Sequence, residues 1–306
     1  VYLVVAICVL FKDKILLIVQ TQRMIINGKD LAQRHITNMQ SILANQSPLA
    51  RQPELTVILV GDRPDSASYV KMKQQTAAVI GINVNVVRFN EHISMDELAS
   101  VIDRQVILEP DGIIVQLPLP AHLDAKVLID MIPPHLDVDG LTTTNLGLVM
   151  NGRTPSHFPC TPAAVLDILE SVGVTAFEGK CVVLIGCGEL VGKPLAVMLM
   201  HLGATVVSCN KHTQNIVDKC KLGDIVIAAA GVPQLVKSDW IKDGAIVIDV
   251  GVSSVLDDDK RRRLVGDVDF ENVRHKVSAI TPVPGGVGPM TVVMLMRAVM
   301  KRWLSR

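Results

Sequence analysis

The strongest constraint on this chain is a series of short, unbroken apolar runs rich in Val and Ile, separated by helix-sized intervals. LTVILVG (55–61), GIIVQLPLP (112–120), CVVLIG (181–186), DIVIAAA (224–230) and AIVIDVGV (245–252) carry apolar residues at successive positions. A strand with one wet face alternates polar and apolar residues. Runs this short without alternation describe strands covered on both faces, as in parallel sheets. INVNVVRF (82–89) and ATVVSCN (204–210) add two more strands. Helical periodicity fills the gaps at 30–46, 94–107, 127–133, 162–172, 192–202 and 291–304. A further helix, capped by Asp65 or Ser66, is expected to run through Tyr69 and Lys73 and end at Gly81. Strand–helix alternation on this scale means α/β architecture with right-handed crossovers.

At about 150 residues per domain, the 306 residues suggest two domains. Thirty basic residues balance thirty acidic ones, which argues against a nucleic-acid or anionic-membrane surface. Aromatics are only 3% of the chain and tyrosines number two, so the core is aliphatic and a base-stacking platform is excluded. The six cysteines form no C-x-x-C pair, and several sit in apolar runs. That pattern indicates a reducing compartment, without structural zinc or a disulfide framework. Residues 1–23 stand apart. Their apolar run is too short to span a bilayer and is interrupted at Lys12, Asp13 and Lys14. FKDKILLIV could form a hairpin strand. The plainest reading is an extension in front of a natural start at Met24.

After the run 181–186 comes Gly186-Cys187-Gly188-Glu189-Leu190-Val191-Gly192, a G-x-G-x-x-x-G loop one residue longer than the usual dinucleotide fingerprint. Glycines there allow backbone to approach a pyrophosphate, and the following helix N-terminus favours the anion. The next strand ends at Cys209-Asn210-Lys211. It has no acid for ribose hydroxyls, but Lys211 could pair with a 2′-phosphate.

Further motifs occur in one order. They are Ser68-Tyr69-Val70-Lys71-Met72-Lys73, Val115-Gln116-Leu117-Pro118-Leu119, Asp137-Val138-Asp139-Gly140, Pro159-Cys160-Thr161-Pro162, Gly266-Asp267-Val268, and the run from Thr281 through Pro284, Gly285 and Gly286 to Thr291. Together they resemble the bifunctional methylenetetrahydrofolate dehydrogenase/cyclohydrolases over residues 24 to about 302. The resemblance implies a folate-binding catalytic α/β domain over 24–160 and a Rossmann-like NAD(P)-binding domain over 161–289. The terminal helix (290–306) is expected to return to the first domain. It implies Lys73 as the catalytic lysine, with Tyr69 one helical turn before it on the same face. Gln116 would support the lysine. Tyr69, Val115, Gln116, Leu117, Asp139, Pro284, Gly285 and Gly286 would hold the folate. Gly186, Cys187, Gly188, Lys211 and Val252 would meet the dinucleotide, expected to be NADP with NAD as the alternative. A homodimer, a cytoplasmic address with an organelle left open, and no metal complete the expectation.

Two departures weigh on the cofactor. The family loop usually reads G-R-S-x-x-V-G-x-P, yet Cys187 and Gly188 occupy its Arg and Ser positions. The usual His-Ser pair after the next strand is Asn210-Lys211, and an ammonium does not reproduce a guanidinium fork. These departures leave open a cyclohydrolase or folate-binding protein with a degenerate dinucleotide site.

Overall fold

The apolar runs pair as parallel strands in two sheets. The computed structural model describes residues 6–11, 14–19, 23–47, 51–256 and 261–306. Among them, Asn83–Phe89, Glu54–Val60 and Gly112–Val115 form a three-stranded sheet in that spatial order. A single bridge from Ile113 to Asp137 continues it. The second sheet has six strands, ordered Met24–Ile25, Ala279–Ile280, Ile246–Asp249, Ile225–Ala228, Cys181–Ile185 and Thr205–Cys209. Its inner strands are buried at nearly every position, as unbroken apolar runs require.

Several boundaries differ from the sequence reading for local reasons. The helix carrying Tyr69 and Lys73 spans Pro64–Ile80 and is capped by Arg63, not by Asp65 or Ser66. Pro64 takes the first helical position, where its missing N–H costs nothing and its fixed φ suits the helix. Gly81 ends that helix with φ +102°, a left-handed cap that glycine adopts without strain. The strand read at 112–120 stops at Val115, and prolines carry the chain out of the sheet beyond it. Helix Thr143–Met150 and the hairpin Ser253–Leu256/Arg262–Val265 were not foreseen. Met24 and Ile26 donate to Ser278 and Ile280 carbonyls, so this short strand belongs to the second sheet although residues from 24 onward were expected in the first domain.

Ala6–Phe11 and Lys14–Val19 pair as an antiparallel hairpin. Val1 and the Lys12-Asp13 interruption lie outside the described residues. No helix among the described residues is long and apolar enough to cross a membrane.

Helix Val287–Leu304 returns to the first unit and packs on helices Gly28–Ala44, Pro64–Ile80 and Cys160–Ser171. Its buried face of Val, Met, Leu and Trp303 stabilises by about 1.5–3 kcal/mol per large side chain. Polar contacts lock its end. Trp303 Nε1 donates to the Arg51 carbonyl at 2.9 Å, and Arg306 reaches the Glu109 carboxylate at 2.7 Å. Gly28 opens the first helix against Gly286, whose carbonyl would overlap any Cβ at position 28. The folate-motif loop therefore rests directly on the first unit.

Candidate active site

Helix Pro64–Ile80 aims Lys73 at the end of strand Gly112–Val115, where Gln116 follows. The Lys73 ammonium donates to Gln116 Oε1 at 2.9 Å. Gln116 is 9% exposed, and its Nε2 donates to the Leu117 carbonyl at 2.7 Å, so the amide presents its acceptor to the lysine. Val115 is buried and Leu117 half-buried beside it. Lys71 is exposed, as an ordinary surface lysine.

The bridge from Ile113 to Asp137 brings the segment 137–140 alongside that strand end. Asp137 is buried and accepts from Thr142 N–H at 2.8 Å and Asn145 Nδ2 at 2.9 Å, bracing the turn. Gly140, at φ +70°, lies so close to the Phe158 backbone that a Cβ would clash. That close approach packs Cys160 beneath Asp139, and Cys160 Sγ donates to the Val138 carbonyl at 3.2 Å.

Burial lowers the Lys73 pKa, opposed by the nearby Asp139 carboxylate and then by Cys160. Burial raises the Asp139 pKa, opposed mainly by Lys73. Burial thus disfavours the charge on each group, while each favours the charged form of the other. Burial pushes the Cys160 thiol well up, so it stays protonated. Tyr69 is 36% exposed on the helix face of Lys73, and burial raises its pKa. Lys73, Gln116 and Asp139 come together, with Tyr69 one helical turn from Lys73. Pro284, Gly285 and Gly286 instead form the loop against Gly28, with Gly285 at φ +106° and facing the Lys29 side chain.

At the second centre, Gly186 and Gly192 pack against each other. A Cβ at Gly192 would overlap the Gly186 carbonyl, and one at Gly186 (φ +108°) would overlap that of Ala229. A Cβ at Gly188 would meet only open space. Helix Gly192–His201 begins without a side-chain cap, but Lys193 N–H donates to the Gly188 carbonyl and Leu195 N–H to the Val191 carbonyl, and Pro194 has no N–H, so Gly192 N–H is the first-turn donor left for an anion. This cradle fits a dinucleotide pyrophosphate. Cys187 Sγ lies 2.8 Å from Ser208 Oγ and donates to the Cys209 carbonyl at 3.1 Å. Lys211 is exposed at the tip of a turn in which Asn210 Oδ1 accepts from His212 N–H at 2.9 Å. Val252 is 39% exposed, just past strand Ile246–Asp249.

Sequence reasoning missed several participants. Glu189 puts an acid in the glycine loop and is held by Lys126 from the first unit at 2.8 Å and by Lys193 at 3.3 Å. A cavity of about 970 Å³ beside them is lined by Leu117, Pro118, Leu146, Leu190 and Ser208 among others, spanning both units. Cys160 lay inside a quoted motif, but nothing in that motif indicated a thiol under the aspartate.

Comparison with known proteins agrees with this geometry. Residues 26–139 match the tetrahydrofolate dehydrogenase/cyclohydrolase catalytic domain, and 159–306 match the family's NAD(P)-binding domain. The bifunctional protein FolD of Vesicomyosocius okutanii is 43% identical over 284 residues, covering 92% of this chain and 99% of its own. The crystal structure of FolD methylenetetrahydrofolate dehydrogenase/cyclohydrolase from Campylobacter jejuni superposes with TM-score 0.86 at 38% identity, covering 92% of this chain and 99% of that one. The Trypanosoma brucei enzyme, complexed with NADP cofactor and an inhibitor, gives TM-score 0.87 at 37% identity over 92% and 97%. The chain belongs to the tetrahydrofolate dehydrogenase/cyclohydrolase family, the bifunctional FolD enzymes of one-carbon folate metabolism.

Proposed function

We propose that the chain oxidises 5,10-methylenetetrahydrofolate with NADP and then hydrolyses the methenyl product to 10-formyltetrahydrofolate at one folate site. The observation that carries the residue assignments is the Lys73–Gln116 hydrogen bond with Asp139 close enough to shift the lysine's titration. When bound, the nicotinamide accepts the hydride from the methylene carbon. Lys73, as the amine, takes a proton from the water that adds to the methenyl carbon. As the ammonium it returns that proton to the departing ring nitrogen, and the net reaction releases one proton. Gln116 holds the ammonium by its acceptor. Asp139 offers two oxygens to the parallel N–H donors of the pterin edge. Tyr69 supplies a ring face for the p-aminobenzoyl group, Val115 and Leu117 flank it, and the loop Pro284–Gly285–Gly286 admits the folate closely.

For the cofactor, Gly186, Cys187 and Gly188 form the phosphate-side loop, Val252 meets the nicotinamide end, and Lys211 supplies the charge for a 2′-phosphate. Domain limits near residues 160 and 290, a homodimer and a cytoplasmic address belong to the same reading and rest on the family resemblance. Steady-state oxidation of methylenetetrahydrofolate with NADP and with NAD tests the cofactor assignment. NADP is expected to be preferred. Lys211→Ala should reduce that preference about tenfold, the size of one charge-assisted contact. An unchanged preference removes Lys211 from the site. Hydrolysis without reduction of either cofactor would favour the degenerate dinucleotide site.

A further inference from the structure

The Gly266-Asp267-Val268 motif has no role in either chemical step, yet it builds an unusual junction. Asp267 is 0% exposed and Asp249, at the end of strand Ile246–Asp249, is 3% exposed. Asp267 Oδ2 accepts from Ala230 N–H at 2.6 Å and Gly231 N–H at 2.9 Å. Asp249 Oδ1 accepts from Gly251 N–H at 3.1 Å and Asp267 N–H at 3.0 Å, while its Oδ2 accepts from Val268 N–H at 2.9 Å. Asp249 N–H donates to Thr281 Oγ1 at 2.7 Å. Any side chain at Gly251 would overlap the Asp267 carboxylate, and any at Gly266 would overlap that of Asp249 and crowd Val283.

The two carboxylates join the first two of three segments, and the Asp249 backbone N–H joins the third. The first is Ala229–Ala230–Gly231, on whose Ala229 carbonyl Gly186 sits. The second is Val250–Gly251–Val252. The third begins at Thr281 and leads through Val283 to Gly285 and Gly286. Asp267 Oδ1 is buried without a hydrogen-bond partner, a cost that folding alone gives no reason to keep. One carboxylate can collect several backbone N–H groups on adjacent segments at once, which no apolar residue can do.

We propose that Asp267 and Asp249 form a sealed clamp, with their carboxylates on the nicotinamide-side loops and the Asp249 backbone N–H on the folate-side segment, that holds the two in register and makes Asp267 a positioning residue for hydride transfer. The proposal rests on the reading that places the nicotinamide beside Val252 and the folate over Pro284–Gly286. The Asp267 carboxylate accepts from Ala230 and Gly231, and among the described residues neither carboxylate accepts from the Thr281 segment or the Lys73 cluster, so hydrolysis does not depend on the Asp267 contacts.

The test uses the full chain with Asp267→Asn, which preserves shape and can keep both contacts at one oxygen but removes the charge that strengthens them. Calorimetric affinity for NADP should fall about tenfold, as when charge-assisted hydrogen bonds become neutral ones. Affinity for adenosine 2′,5′-bisphosphate, which lacks the nicotinamide half, should stay within about twofold. The dehydrogenase kcat should fall about tenfold or more, and methenyl hydrolysis should stay within about twofold. Asp249→Asn, which gives up one of its three acceptor contacts, should show the same split. It serves in its place if Asp267→Asn does not fold. Equal loss of both activities, or no change in either, overturns the clamp. Val252→Phe separates this from the underlying reading. Normal NADP binding by that variant refutes the nicotinamide placement, and the clamp falls with it. Blocked NADP binding there, beside an unaffected Asp267→Asn, refutes the clamp alone.

Discussion

Two buried charge clusters in this protein are built in opposite ways. At Lys73 and Asp139 a basic and an acidic side chain lie close enough to shift each other's titration, backed by the side-chain amide of Gln116 and the thiol of Cys160. At Asp249 and Asp267 two acids lie together, and most of their partners are backbone N–H groups. Side chains of opposite sign can exchange a proton with each other and with a substrate, so the first cluster suits chemistry. Carboxylates sealed by backbone donors can exchange little without disturbing the loops they hold, so the second suits alignment. Burial is common to both, and the identity of the partners separates their uses.

The largest expected effect breaks the first cluster. Lys73→Met should lower methenyl hydrolysis by roughly 10²–10⁴, the usual range for a general acid–base group. Folate binding, followed by fluorescence or calorimetry, should persist. Retained hydrolysis would remove Lys73 from the chemistry. A smaller effect sharpens the role of Gln116. Its carbonyl stabilises the ammonium, so Gln116→Met should lower the Lys73 pKa further. The limb of the hydrolysis pH profile that reports Lys73 should then move to lower pH. An unmoved limb would mean that the amide only fills space.

The smallest effect concerns the second cluster. Burial, reinforced by the neighbouring Asp267 charge, raises the Asp249 pKa to about 7, against the backbone N–H bonds that lower it. Between an unfolded value near 4 and this folded value, the native protein holds a proton that the unfolded chain has lost. Stability from this group therefore falls as pH rises through that window and changes no further above it. Asp249→Asn should flatten that segment of the Tm–pH curve by about a few degrees, whatever its effect on Tm at any single pH. A slope equal to the parent's would show that Asp249 titrates normally.

The two clusters also differed in how legible they were. The i, i+4 spacing of Tyr69 and Lys73 announces a shared helix face, and the unbroken run ending at Val115 announces a strand tip for Gln116. Local periodicity carries that information. The pairing of Asp139 with Lys73, 66 positions earlier in the chain by their residue numbers, depends on the bridge beside Ile113 and the tight packing of Gly140 on Phe158. The clamp was less visible still, since Asp249 and Asp267 belong to different segments and their partners are backbone atoms that carry no residue identity. The Lys126–Glu189 contact likewise arises only when two sheets lie side by side.

By itself the sequence determined the α/β class, the parallel strands, the glycine cradle at 186–192 and the family. Each of these depends on residue type at short spacing. Only the tertiary structure decided that strand Met24–Ile25 joins the second sheet, that the Cys187 thiol turns toward Ser208, and that Gly251 and Gly266 are required by carboxylates. The physical reason is that hydrogen bonds, desolvation and overlap are set by distances through space. Residues far apart in the chain acquire those distances only when the sheets and the terminal helix have packed.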